Sequence, residues 1–473
     1  MSKATKIVAT IGPATETEEI MEQLIRSGMN VARFNTKHGT AEWHTERIIR
    51  MRTVAERLKT PIAILLDLQG PEIRITIPGG EGFQVSEGEV VTFTANMEST
   101  NPRTPMIPQI VVDALHEGNS ILIDDGLGEF LVTKNLGNEI HAAAQGAFTV
   151  GNRKTLNTPG AIIDMPSLIP QDIVLLDAVH HLIEYVGLSF VRDAKDIHIL
   201  QDELKKRSCT AGIIAKIENQ SALDNLDEII SHCDAVMVAR GDLAVEVPYQ
   251  ELTYWQKQII QKSREQGKPV ITATQMLKSM VEKPRPTRAE VSDVANAVYD
   301  GTDAVMLSEE TTIGKYPVEA VGTQKTIVEF NEPHARPAPL STADTTPASY
   351  ITHSAVSLLE IAQLRSNNLK IDSIVCLTET GETARLISRF RPHIPVYALT
   401  SNVQTYQKLS LLYGVTPFVV ELPEGDRLES SGRLLEMLRE LGIAKPSEHV
   451  LLVHGTFWKK PGLTNTLAIL QIE

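Results

Sequence analysis

One recurrence constrains this chain more than any other feature. Short apolar runs at 7–11, 31–35, 62–67, 186–191, 213–217, 235–238, 270–273 and 304–307 are separated by stretches of helical spacing, among them 17–26, 42–57, 171–183 and 251–266. Each run is apolar throughout instead of alternating, as in strands covered on both faces. Strands that alternate with helices build either an open doubly wound sheet or a closed (β/α)8 TIM barrel, and eight of them favour the barrel. In a barrel, the polar residues that end the strands gather at one mouth, where catalytic groups are expected.

The alternation breaks once. After Asp67 the chain reads GPEIRITIPGGEGFQVSEGEVVTFTANMES, a Val-, Thr-, Gly- and Glu-rich texture with short alternations that runs to about residue 154. It predicts an antiparallel all-β domain over 71–154, inserted in the third strand-to-helix loop and lying over the mouth as a lid. The barrel domain is then residues 1–70 and 155–330, and 331–349, NEPHARPAPLSTADTTPAS, reads as a linker. Beyond it, runs at 373–378, 396–400, 417–420 and 450–453 alternate with helices and predict a separate α/β domain over 350–473.

Composition narrows the partners. The formal net charge of -14 over 473 residues argues against a nucleic-acid binder, so an anionic ligand has to be held by local Arg and Lys groups or through a metal. Cys209, Cys233 and Cys376 are far apart and form no CxxC pair, the usage of reduced thiols in a cytoplasmic protein. The start, MSKATKIVATIG, enters a strand almost at once without a signal-peptide core, and no apolar run approaches membrane-spanning length. A cytoplasmic protein that binds neither membrane nor nucleic acid is expected.

The fifth strand ends IIAKIEN, where Lys216 and Glu218, two apart, point to the same side. The sixth ends VMVARGDLAVE, which sets Asp242 just past the strand, with Gly241 permitting close backbone approach. Glu218 and Asp242, from neighbouring strand ends, make a hard-oxygen pair for a divalent cation. The competing reading is a structural Lys216–Glu218 ion pair beside a capping Asp242. Arg33, ending the second strand, and Arg74, after the third, carry guanidinium groups suited to phosphate oxygens, unless they are solvated surface side chains. TATQML puts the hydroxyls of Thr272 and Thr274 on one face of the seventh strand as a proton relay, although Thr is also an ordinary strand former.

In order along the chain, TKIVATIGPAT, GMNVARFN, GPEIR, IAKIEN, VMVARGDLAVEVP, PVITATQML and PRPTRAEVSDVANAVYDGTDAVMLSEETTIGKYP resemble the pyruvate kinase family. LTETGETARLISRFRP and GLTNTLAILQIE resemble its C-terminal domain, so the resemblance covers nearly the whole chain. It implies a barrel, a mobile β-lid and an α/β domain, usually in a homotetramer. The implied reaction is glycolytic transfer of a phosphoryl group from phosphoenolpyruvate to ADP, giving pyruvate and ATP. Carried over residue by residue, Lys216 stabilises the phosphoryl group in flight, and Glu218 and Asp242 hold Mg²⁺ or Mn²⁺. Arg33, Arg74 and Lys154 match nucleotide and phosphate contacts, and Asp125 in IDDGLG matches a lid residue that closes toward the site. The backbone of Ala239, Arg240 and Gly241 and the hydroxyl of Thr274 match positions around the enolate and its proton supply. The alternatives are another metal barrel handling phosphoenolpyruvate or pyruvate, such as an aldolase or mutase, and a non-catalytic or altered-specificity relative that binds phosphoenolpyruvate.

Some positions depart from the family. It commonly reads N-F-S-H-G where this chain has Asn35-Thr36-Lys37-His38-Gly39, and D-T-K-G where this chain has Asp67-Leu68-Gln69-Gly70. The resemblance makes these segments a K⁺ site, built from the Asn, Ser and Asp side chains and a main-chain oxygen of the Thr. Asn35, Asp67 and the Leu68 carbonyl remain, and Lys37 replaces the hydroxyl. An ammonium has the charge of K⁺ and three donors, so Lys37 is expected to substitute for the ion; the competing reading swings it into solvent beside a weakened site. Glu72 pulls the other way, because family members with Glu there usually need the monovalent cation. Glu309 stands where the family usually has Gly. In TETGETAR, Thr378, Thr380, Gly381 and Thr383 match a loop that binds an effector phosphate in regulated members. Glu379 and Glu382 oppose an anion there, with Lys459 and Lys460 as a partial offset, so sugar-phosphate activation is expected to be weak or absent.

Overall fold

The computed structural model describes residues 3–340, 345–364, 369–421, 427–455, 462 and 464–472. Eight strands, Lys6–Thr10, Val31–Asn35, Ala63–Asp67, Tyr185–Leu188, Gly212–Ile217, Ala235–Ala239, Val270–Ala273 and Ala304–Leu307, close into a parallel barrel in chain order. Closure excludes the open-sheet alternative, because Lys6–Thr10 pairs with both Val31–Asn35 and Ala304–Leu307. Val8, Val31, Leu65, Ile214, Met237 and Met306 fill the interior, while their neighbours Ile7, Phe34, Leu66, Ile213 and Val305 pack outward against the helices. Both faces are therefore dry, which is why the strands read as unbroken apolar runs. Helix boundaries follow local chemistry. Glu18–Ser27 begins where the Thr17 hydroxyl accepts the Ile20 N–H and ends at Gly28, whose φ of 118° is left-handed.

The lid is an antiparallel sheet with strand order Leu156–Asn157, Ser120–Ile123, Gly128–Asn135, Glu139–Ala144, Val90–Thr94, beside a ribbon of Phe83–Val85 and Phe148–Val150. It has its own core, with Phe93 and Phe148 set edge-on to Phe130 at ring distances of 5.2 and 5.1 Å. Its Gly126 turn touches the barrel: a Cβ at Gly126 would lie 3.6 Å from Val245, on the helix Arg240–Glu246 that follows the sixth barrel strand.

In the C-terminal domain the sheet order is Val415–Val419, Val396–Thr400, Ser373–Leu377, His449–Gly455, Thr464–Gln471. The last strand is antiparallel and was not foreseen; at the sheet edge it is only half-covered, and its sequence lacks the buried apolar run of the others. Regular structure enters the expected linker from both sides. Helix Pro317–Asn331 ends at its first residue, Glu332–His334 form a 3-10 turn, and helix Pro347–Leu364 starts before its end.

This domain seats on the barrel floor through buried polar contacts. The Arg391 guanidinium pairs with Asp303 at 2.7 Å and donates to the Gly301 carbonyl at 2.6 Å. Asp303 also accepts the N–H of Tyr413 at 3.1 Å and of Val270 at 3.0 Å, and the Lys6 ammonium donates to the Val415 carbonyl at 2.8 Å. The three cysteines are free, and burial pushes the Cys233 and Cys376 thiols up to about 12, which leaves them unreactive. Among the described residues no helix is long and apolar enough to cross a membrane.

Candidate active site

The barrel mouth encloses a cavity of about 700 Å³. Its lining includes the polar and charged Arg33, Lys216, Glu218, Asp242 and Thr274, and the apolar or aromatic Pro13, His38, Trp43 and Ile313. Lys216 is central to the charged group. Its ammonium reaches Glu218 Oε1 at 2.9 Å, Asp67 Oδ1 at 3.3 Å and the Ser189 hydroxyl at 2.7 Å. Arg33 lies on the other side of Asp67, with Nε and a terminal nitrogen at 2.7 and 2.5 Å from Oδ2, and donates to the Thr10 hydroxyl at 2.8 Å. Burial alone would raise the Asp67 carboxyl, but the charges of Lys216 and Arg33 outweigh it and hold the group below the usual range. Burial likewise opposes the Lys216 charge, and the charges of Asp67, Glu218 and Asp242 overcome it, keeping the ammonium protonated.

Asp242 differs. Burial and then the Glu218 charge push its carboxyl up to about 7, with Lys216 only partly compensating. Glu218 is buried and Asp242 half-buried beside it, with Asp242 short of positive charge, and Asp67 Oδ1 lacks a well-aligned hydrogen bond. Oxygen donors in that electrostatic setting fit a hard divalent cation.

Local backbone geometry sets the rest. Phe190, at a left-handed φ of 55°, turns its N–H onto Glu218 Oε2 at 2.7 Å. The seventh strand stops at Ala273, and Thr274 follows at a φ of 69°, so its side chain lines the cavity. Arg240 holds that turn through the carbonyls of Ala273 and Thr274, and is itself gripped by Asp293 at 2.6 and 2.7 Å. A Cβ at Gly241 would sit 3.6 Å from the Thr274 methyl, which shows how closely the two segments approach. The paired-hydroxyl expectation is corrected here: Thr272 is buried and bonded to the Thr302 hydroxyl at 2.9 Å, because the chain turns between Thr272 and Thr274.

Around the expected monovalent-cation segments, the Asn35 side-chain oxygen accepts the Lys37 N–H at 3.2 Å and the Leu68 carbonyl accepts the Ser189 hydroxyl at 2.6 Å. The Lys37 ammonium lies 2.5 Å from Glu72 Oε1. Glu72 also holds Arg74 at 2.7 Å, and Arg74 donates to the Arg153 carbonyl on the second lid connection. Arg74 and Lys154 do not line the cavity in this lid position; Lys154 pairs with Asp124 at 2.9 Å. Asp125, bonded to Thr155 on the second lid connection, is close enough for its charge to act on Asp242. Glu309 lines the cavity and pairs with Lys278.

In the C-terminal loop, Gly381, at a φ of 85°, donates its N–H to the Thr378 hydroxyl at 2.9 Å, and Thr383 bonds to the Thr464 hydroxyl at 2.7 Å. Glu379 accepts the Ser401 hydroxyl at 2.8 Å. Thr380 lies in the same loop, and Lys459 and Lys460 fall outside the described residues. Sequence reasoning missed Ser189, Phe190, Thr10 and Asp293. Ser189 and Thr10 at strand ends carried a usable signal, but Phe190 acts through its backbone and carried none.

A parallel barrel whose mouth gathers an ammonium, a guanidinium and a metal-suited carboxylate pair under a hinged lid belongs to the enzymes that work on small anionic substrates. Family models described as pyruvate kinase barrel domain and pyruvate kinase alpha/beta domain match residues 2–321 and 357–470. The chain belongs to the pyruvate kinase family, and its function is that of a pyruvate kinase. It is 38% identical to the pyruvate kinase of Thermococcus litoralis over 100% of this chain and 99% of that one. It is 39% identical to that of Dictyostelium discoideum, covering 99% and 94%. The crystal structure of a pyruvate kinase from Cryptosporidium parvum superposes with a TM-score of 0.89 at 30% identity, covering 100% of this chain and 96% of that one.

Proposed function

We infer that this chain moves the phosphoryl group of phosphoenolpyruvate to ADP at the barrel mouth, with Lys216 as the central catalytic cation. The observation that supports this reading is the Lys216 ammonium held by Asp67, Glu218 and Ser189 beside the under-compensated Asp242. Phosphoryl transfer needs positioned charge more than covalent help. Lys216 neutralises the migrating oxygens, and Arg33, clamped by Asp67 and Thr10, fixes the phosphate end of the nucleotide. Arg74 and Lys154 join the nucleotide contacts from the hinge when the lid moves. Glu218 and Asp242 hold Mg²⁺ or Mn²⁺, which when bound supplies Lewis-acid charge to substrate oxygens. The Gly241 backbone borders the enolate, and the Thr274 hydroxyl on the cavity wall leads the proton to its carbon. A coupled assay for pyruvate from phosphoenolpyruvate, ADP and Mg²⁺ tests the reading; phosphoenolpyruvate binding without turnover would select the non-catalytic alternative. A homotetramer and a cytoplasmic location are carried over from the family as part of this proposal.

Lys37 takes the place of K⁺ in this reading, acting from its pair with the nearly buried Glu72. A tethered cation needs no ion from solution, and its charge opposes a K⁺ near Asn35, Asp67 and Leu68. Turnover without Na⁺ or K⁺ is expected to stay within about twofold of that with added KCl, and Lys37→Ser to create an activation of about tenfold. Strong K⁺ activation of the unsubstituted protein would sink the idea.

The effector loop at Thr378, Thr380, Gly381 and Thr383 is read as inactive toward sugar phosphates, since Glu379 already takes the Ser401 hydroxyl. Flat dose-response curves are expected for fructose 1,6-bisphosphate, ribose 5-phosphate and AMP. Sigmoid kinetics relieved by any of them would count against this.

A further inference from the structure

A second cavity, of about 240 Å³, lies at the lid hinge. Its walls come from both connections between lid and barrel, with Ile73 on one and Ile163 on the other, and from Phe190 and Glu246 of the barrel. Among the described residues, Phe190 alone lines both this cavity and the one at the mouth. Its backbone is in a left-handed conformation that L residues rarely adopt, and its N–H supports Glu218. Whatever presses on Phe190 from the hinge side therefore acts on a residue whose backbone N–H positions Glu218.

The lining also selects a chemistry. Apolar side chains share it with polar ones, and it carries two carboxyls: Asp224 is exposed, whereas Glu246 is half-buried and held by a long hydrogen bond of 3.2 Å from the Asn157 amide. Burial pushes the Glu246 carboxyl above its ordinary range, so it would gain from a cationic donor. Arg192, on the same wall, is committed to Asp196 at 2.8 Å and does not offer itself to an anion. A dry cavity of about 150 Å³ can hold benzene, so this one has room for a ring with a short side chain. We propose that the hinge cavity is a regulatory site for a small primary amine carried on a single apolar ring, with its ammonium on Glu246 and its ring against Ile73, Ile163 and Phe190. Such a ligand ties both lid connections to the barrel and slows the hinge movement that substrate entry and product release require.

Benzylamine is the probe, tested on the full chain with Mg²⁺ by ligand-observed NMR and by steady-state kinetics. Saturable binding is expected, with kcat lowered at least about threefold and no rise in KM for phosphoenolpyruvate or ADP. Glu246→Gln should weaken binding about tenfold, and phenylacetate, the same ring with the opposite charge, should not bind. Ala161→Leu, which fills the cavity from its wall, should also weaken binding. No saturable binding, competition with either substrate, equal binding of phenylacetate, or wild-type affinity in both variants would overturn the site. Saturable binding with unchanged kcat would overturn its regulatory role. The binding measurement does not depend on the reaction inferred above, so failure of that reaction and failure of this site are distinguishable.

Discussion

Lys216→Met is expected to lower kcat by about 10³-fold while changing KM for phosphoenolpyruvate less than about tenfold. The ammonium faces the buried Asp67, Glu218 and Ser189 hydroxyl at 2.7–3.3 Å. In such a setting a fixed cation is worth far more to a migrating phosphoryl group than a mobile one from solution. Methionine keeps the length and volume of the stem but leaves three carboxylates facing one another. Asp242, whose carboxyl already stands at about 7, can relieve part of that repulsion by taking up a proton, so the fold is expected to survive. Lys216→Arg restores the charge but not a compact ammonium, and should recover little activity. Near-native circular dichroism together with the coupled assay checks the prediction; kcat above a tenth of wild type in Lys216→Met would sink the central role of this residue.

Arg391→Ala carries the largest expected effect on stability. It leaves Asp303 buried at the barrel floor without its 2.7 Å partner and removes the donor to the Gly301 carbonyl. Breaking one side of a buried ion pair costs about 3–5 kcal/mol, because the remaining charge stays desolvated. Asp303 keeps the N–H groups of Val270 and Tyr413, so the lower part of that range applies. Calorimetry should show a main transition lowered by roughly 5–10 °C, or a C-terminal domain that melts separately from the barrel. The Arg391→Ala and Asp303→Ala double variant should lose less than the sum of the singles, as coupled partners do. Additive losses in that cycle would mean that the two side chains act independently.

The barrel was legible because burying a strand on both faces leaves a mark in the sequence that needs no partner to interpret. The runs at 31–35, 270–273 and 304–307 coincide with the strands Val31–Asn35, Val270–Ala273 and Ala304–Leu307. Lys216, Glu218 and Asp242 were legible for a related reason, since strand ends in a parallel barrel must meet at one mouth. The half-exposed edge strand Thr464–Gln471 left no comparable mark. Thr272 and Thr274 were read together because extended chain was assumed past Ala273, whereas the φ of 69° at Thr274 sends the two hydroxyls apart.

The chain's own pattern of apolar runs and strand-end charges thus determined the architecture, the location of the site and the residue types in it. Only the tertiary structure decided which charge meets which. Lys37 and Glu72, which sequence reasoning set against each other, become partners at 2.5 Å once the second barrel strand brings its loop beside the lid hinge. Phe190 acquires a role through a backbone N–H and a left-handed turn, neither of which its side chain encodes. The physical reason is range. Burial is written into each residue's own apolarity, but an ion pair or a backbone donor exists only when folding brings distant segments within about 3 Å.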